Sequence, residues 1–464
     1  MKNLKFLHTM TTFVISCLLV ACNTTTDPTP TEEPILYKGA TLYDKYSPFL
    51  AGDTIITTKK ATLHTAPKAT NVKNLQKNEQ TPLRYVAIGG SLSAGVRDFG
   101  LYRAGQETAF PNLLAIQMGI TDFKQPLFSE TDYNGYGYRT LTTRFRLPGS
   151  ILPMYNTVKN NLALIEYISP TNYKLTPYEG DIDNLAVPFA VQFSLNYKQN
   201  FSENNFLNRF TALNKSTINQ YLLNKNFDFA SIEGDLEDVL IYAKINGGSF
   251  LGKADPFSDQ NNIAILKKLK EKGIKAVYLN IPNVLELPYF NLYKIEKISD
   301  ITKNRIFYVS DGAGGTNVFG QGSYLFPKSS IDTLANSQIS NNLKRGLSEA
   351  LPLKTGNILY QNKAEQISDF IINQNNYYLQ KSKELGFAYV DLNTLYKKII
   401  AGGYVTDDGV RVDATFIKGN FFSNDGLYPS AFGQAVITNE IIRTINATFK
   451  TDIPFIKTAE YLKK

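Results

Sequence analysis

Short apolar runs alternate with amphipathic ones along much of this chain. "YVAI", residues 85–88, is a β-rich run stopped by Gly89 and Gly90, as expected of a buried strand entering a tight turn. "NIAILKKLKEKGIKAVYLNIPN" predicts a helix, a stop at Gly273 and a second buried strand. "AEQISDFIINQNNYYLQKSKELGFAYVDLN" repeats the scheme. Ile367, Phe370, Ile371 and Tyr378 share one helical face, Gly386 ends the helix and "AYVDL" follows as a strand. "PSAFGQAVITNEIIRTINATF" predicts a closing helix. Pro429 suits its first turn, and Phe432, Ala435, Val436, Ile442 and Phe449 form its apolar stripe. Helices alternating with short apolar strands predict an α/β fold, a parallel sheet covered on both faces. Ligand sites in such sheets lie beyond the strand C-termini, which is where "GGS" places Ser91. Residues 150–222 and 291–358 lack this rhythm and read as insertions.

The N-terminus has a different pattern. "MKNLKFLHTMTTFVISCLLVAC" carries two lysines, then an apolar run too short to span a membrane, then small residues before Cys22. This is the layout of a secretory signal, and "LVAC" resembles the lipobox of bacterial lipoproteins. That resemblance implies cleavage after residue 21, acylation of Cys22, and a membrane partner reached through the lipid. "VISC" at Cys17 is a poorer second candidate because its apolar run is shorter. Residues 23–34, "NTTTDPTPTEEP", have the composition of an extended tether. Residues 35–80 leave two options open, packing on the domain or loop, so the expected division is 1–21 signal, 22–80 tether and extension, 81–464 domain.

Composition narrows the function classes. The chain has 464 residues and a formal charge of +8, with Lys and Arg spread along it and no nucleic-acid-binding motif. Its two cysteines are Cys17 and Cys22, so a mature chain beginning at Cys22 has no disulfide, cysteine nucleophile or cysteine metal site. Of two histidines, His8 lies in the signal and His64 precedes the domain. Asp407, Asp408 and Asp413 do not follow the twelve-residue calcium-loop spacing, and "DGAGGTNVFGQG", 311–322, reads as a flexible loop. No cofactor or metal is expected.

Ser91 gains meaning from its company. "YVAIGGSLSAGVRDFGLYRAGQETAFPNLLAIQM" resembles the first block of the SGNH (GDSL-type) hydrolases, and "LPGS", 147–150, resembles the second. "NFDFASIEGDLEDVLIYAKINGG" stands where the third is expected, and "FFSNDGLYPSAFGQA" resembles the last. The resemblance covers most of residues 82–450 and implies a three-layer α/β/α, flavodoxin-like sheet with long insertions. It also implies a serine nucleophile, a histidine base with an orienting aspartate, and an oxyanion hole built from the serine amide, a glycine amide and an asparagine. Ser91, Gly149 and Asp425 match those positions. Glu237 stands at the asparagine, with Asp235 or Gly234 as that block's glycine, and Tyr428 stands at the histidine; Gly90 replaces the aspartate of "GDS". A tyrosine titrates near 10 and is a donor at neutral pH, so it is no substitute for the imidazole. An ionised Glu237 in the oxyanion hole would repel the developing charge. The expectation is therefore a lipid-anchored outer-membrane lipoprotein with a vestigial hydrolase site, serving as a ligand-binding or accessory subunit of an envelope assembly. The alternative is an active esterase or carbohydrate deacetylase with an atypical base.

Overall fold

The computed structural model describes residues 70–141, 155–169, 172–189, 204–213, 216–244, 260–292 and 358–462, parts of 308–353, and two short strands at 35–36 and 54–55. Gly149, Cys22 and His64 lie outside the described residues.

Four buried runs form an all-parallel sheet: β1 (Tyr85–Ile88), β2 (Phe229–Glu233), β3 (Lys275–Leu279) and β4 (Ala388–Val390), paired in that order. Their side chains alternate between two cores. Tyr85 and Ala87 point into one, with helix α2 (Phe110–Gln117) and helix α7 (Ala431–Phe449). Val86 and Ile88 point into the other, with α4 (Gln260–Glu271) and the helix Ile218–Asn224. Strands apolar on both faces are what a helix-covered parallel sheet requires, so the α/β expectation holds. Among the described residues no helix is long and apolar enough to cross a membrane.

The long helix α5 (Gln361–Leu385) divides its apolar face between the cores. Ile367, Phe370 and Ile371 enter the first, whereas Tyr378 enters the second and stacks on Tyr278 with ring centroids 4.4 Å apart. Helix α7 begins at Ala431, because the Ser430 hydroxyl accepts from the Gly433 amide and caps it. Pro429 therefore precedes the cap instead of occupying the first turn. Short helices α1 (Ser91–Ala94) and α3 (Leu236–Lys244) follow β1 and β2, and α6 (Leu392–Ile400) follows β4.

The segment 150–222 is more than an insertion. Within it, residues 183–187 run beside β1: the Ala87 amide donates to the Asp183 carbonyl at 2.8 Å, Leu185 to Ala87 at 2.8 Å, and Val187 to Gly89 at 2.9 Å. Asn184 also forms a parallel bridge with Ala87. The chain thus goes from β1 to the edge at 183–187 and then crosses to β2 on the opposite side of β1. The order of strands reverses at β1, and a crevice opens at the carboxyl end of the strand where this happens. Earlier in the same segment, Tyr155–Val158 pairs with Tyr138–Leu141 and with Thr54–Ile55, while Leu164–Ser169 pairs with Asn172–Leu175 and Ile35–Leu36. Parts of the 35–80 extension therefore pack on the domain. Thr316–Val318, inside the glycine-rich 311–322 stretch, is a strand antiparallel to Tyr308–Ser310. Asp408 accepts from Thr406, Thr458 and Ala459, and Asp407 pairs with Arg443, so these acids fasten the C-terminus. No metal-ligand group of three or more acids, histidines or cysteines occurs among the described residues.

Candidate active site

The turn after β1 delivers Ser91 to the point where the strand order reverses. Gly89 and Gly90 make that possible. A Cβ on Gly89 would collide with the Ser93 hydroxyl and the Glu233 carboxylate, and one on Gly90 would sit 3.4 Å from Glu233 Oε1. The side-chain space at the turn is filled from the neighbouring strand. Glu233, the last residue of β2, accepts from the Gly90 amide at 2.8 Å and the Ser93 amide at 2.9 Å, both through Oε2. These are donors of the first turn of α1, where a carboxylate is favoured. Burial pushes the Glu233 carboxyl up to about 7, and the neighbouring Glu237 charge adds to the shift.

Ser91, Glu237, Asp425 and Tyr428 converge here, all buried. The Tyr428 hydroxyl donates to Glu237 Oε2 at 2.5 Å, linking the last sequence block to α3. Burial and the Glu237 charge hold Tyr428 well above its ordinary value, and the nearby Ser91 side chain acts in the opposite direction without offsetting them. Glu237 Oε1 is buried and has no partner. Asp425 does not reach the Tyr428 side chain as a triad aspartate would. Its Oδ1 accepts from the Leu427 and Tyr428 amides at 2.8 and 2.9 Å, and its Oδ2 from the Phe99 amide at 3.3 Å. Burial, with a smaller contribution from Asp98, raises the Asp425 carboxyl to about 6.

Glu237 is therefore tied to Tyr428. Asp235 accepts from Gln374 at 3.0 Å, and the Gly234 amide donates to Leu279. The amide that meets Ser91 belongs to Phe189, which donates to Ser91 Oγ at 2.9 Å. Phe189 follows the edge segment 183–187 and has φ 57°, the left-handed region that bulky residues avoid. Its ring lies 5.7 Å from that of Phe206.

A third residue without a sequence signal is Asp98. Its Oδ1 accepts from the Asn424 amide at 2.9 Å, its Oδ2 from the Tyr102 hydroxyl at 2.7 Å, and its own amide donates to Ser423 Oγ at 2.9 Å. Asp98 and Phe99 have φ values of 56° and 63°. The loop is thus bent tightly against the Ser423–Asp425 block. No family model, curated protein or solved structure matches the chain.

Proposed function

We propose that this chain is a lipid-anchored cell-envelope protein with an SGNH-hydrolase-like, flavodoxin-like fold that does not turn over esters. In this reading it serves an outer-membrane assembly as a ligand-binding or accessory subunit. One observation carries the loss of turnover: the residue at the histidine position, Tyr428, is a buried phenol whose proton is committed to Glu237. A phenol held well above its ordinary titration point does not take the serine proton near neutral pH. Loss of one triad member typically lowers turnover by about 10⁴–10⁶-fold. The burial of Ser91 and its bond from the Phe189 amide favour an accessory role over capture of a ligand at the serine itself. The strand order reversing at β1 supports the fold reading.

The test is hydrolysis of short-chain aryl esters by purified mature protein. The expected rate equals that of Ser91→Ala; serine-dependent turnover at ordinary enzyme rates overturns the reading. The anchor is tested separately by labelling cells with a clickable fatty acid. Labelling is expected for the wild type and absent in Cys22→Ala; labelling that survives the substitution assigns the acyl group elsewhere.

A second reading, an active esterase or carbohydrate deacetylase, draws on the Tyr428–Glu237 bond near Ser91, which ends on a carboxylate that could receive the serine proton through the phenol. In that case turnover exists and disappears in Tyr428→Phe.

A further inference from the structure

Three groups of contacts hold the Ser91 turn closed, and each ends on a buried carboxyl. Glu233 joins β2 to the Gly90 and Ser93 amides. Glu237 joins α3 to the Tyr428 hydroxyl. Asp98 and Asp425 bind each other's loops, through the Asn424 amide in one direction and the Phe99 amide in the other. Among the described residues no Lys or Arg forms an ion pair with Glu233, Glu237 or Asp425, and Asp98 has only Arg97, with Nε 4.0 Å away. Buried charges without such partners are unstable in a low-dielectric interior. The closed loop also opposes its own geometry, since Asp98 and Phe99 both occupy the left-handed region.

We propose that Glu233 and Asp425, set among the neighbouring acids Glu237 and Asp98, form a proton-controlled latch over Ser91, closed while the two retain their protons and released when both are ionised. The surroundings of both groups agree. Glu233 faces the α1 amides, Glu237 on α3 and Tyr396 on α6, whose phenol is pushed up by burial and further by the Glu233 charge. Asp425 faces Asp98, Ser423, the Phe99, Leu427 and Tyr428 amides, and the phenols of Tyr155 and Tyr428. Arg139 adds a cation beside Tyr155, not at the carboxyls. Every ionisable neighbour that touches Glu233 or Asp425 is therefore an acid or a neutral phenol.

The direction of the pH effect follows from the raised carboxyls. The closed state keeps protons on Asp425 up to about 6 and on Glu233 up to about 7, whereas an opened loop releases them in the ordinary carboxylate range. Closure is fully favoured below that range and weakens as pH rises towards 7. The latch concerns local opening, so it stands or falls apart from the question of ester turnover.

Amide hydrogen exchange on the full mature chain tests it at pH 5.5 and pH 8, with intrinsic rates corrected. Protection of residues 90–99 and 423–428 is expected to fall at least about tenfold between the two, while the β2 and β3 amides change far less. In Glu233→Gln the fall should shrink to about threefold or less. Asp98→Asn keeps the loop's shape while removing one like charge, and should shrink the fall at 423–428. Equal protection of the wild type at both pH values overturns the latch, as does an undiminished fall in both variants.

Discussion

Tyr428→Phe is expected to destabilise the fold by about 2–3 kcal/mol, although it removes a single oxygen atom. The ring stays in its core, where Tyr428 packs with Leu427 and Phe432, so no cavity opens beyond the hydroxyl itself. What changes is Glu237. One of its oxygens is already without a partner, and the phenol is the donor to the other. Removing that donor strands a whole carboxyl in the interior, which is far more costly than losing an exposed hydrogen bond. Ser91 loses a neighbour as well, but keeps the Phe189 amide. The measurement is equilibrium urea unfolding of the wild type, Tyr428→Phe, Glu237→Met and the double variant. Methionine matches the unbranched shape of glutamate and needs no donor. The double variant should recover most of the loss, giving a coupling of about 2 kcal/mol or more. If Tyr428→Phe unfolds within about 0.5 kcal/mol of the wild type, the hydroxyl–carboxylate bond contributes nothing and Glu237 is satisfied by other means.

The bond at the centre of that experiment joins residues from distant parts of the sequence, which explains which parts of the site were legible there. Ser91 could be placed because a local pattern positions it: an apolar strand, two glycines, then a serine. The core of α7 was legible for the same reason, since the stripe from Phe432 to Ile442 repeats at the helical period. Pairings across the chain were not. Tyr428 and Glu237 lie far apart in the sequence, and only the fold shows that each is the other's partner. The edge segment 183–187 is too short and too poorly framed to read as a strand, and it is defined by its hydrogen bonds to Ala87 and Gly89. Phe189 was hidden with it. Glu233 was hidden differently: composition cannot say that a strand-ending acid turns inward to cap the helix of the neighbouring strand.

Arg209→Met is expected to lower stability by about 3 kcal/mol, and Arg209→Lys by most of that amount. Arg209 is buried and fans its guanidinium over three carbonyls. Nε donates to Thr176 at 3.0 Å, Nη1 to Pro126 at 3.2 Å and Nη2 to Leu127 at 3.2 Å. The group also stacks on Phe128, 4.1 Å from the ring centroid, and the nearby Asp132 opposes the effect of burial, which draws Arg209 down to about 10. It therefore remains a cation at neutral pH. Methionine fills part of the volume but leaves the Thr176 and Leu127 carbonyls without their donor, while Pro126 keeps only Gln106, and the single ammonium of lysine lacks the fork that reaches all three. The consequence extends to the site. Arg209 fixes the turn that carries Phe206, and the Phe189 ring rests on Phe206 while the Phe189 amide holds Ser91. Urea unfolding measures the stability, and hydrogen exchange at the Phe189 amide measures the link, which should lose protection in Arg209→Met beyond the global change. A variant that unfolds like the wild type, or that loses stability while Phe189 keeps its protection relative to the core, separates the inserted segment from the serine it covers.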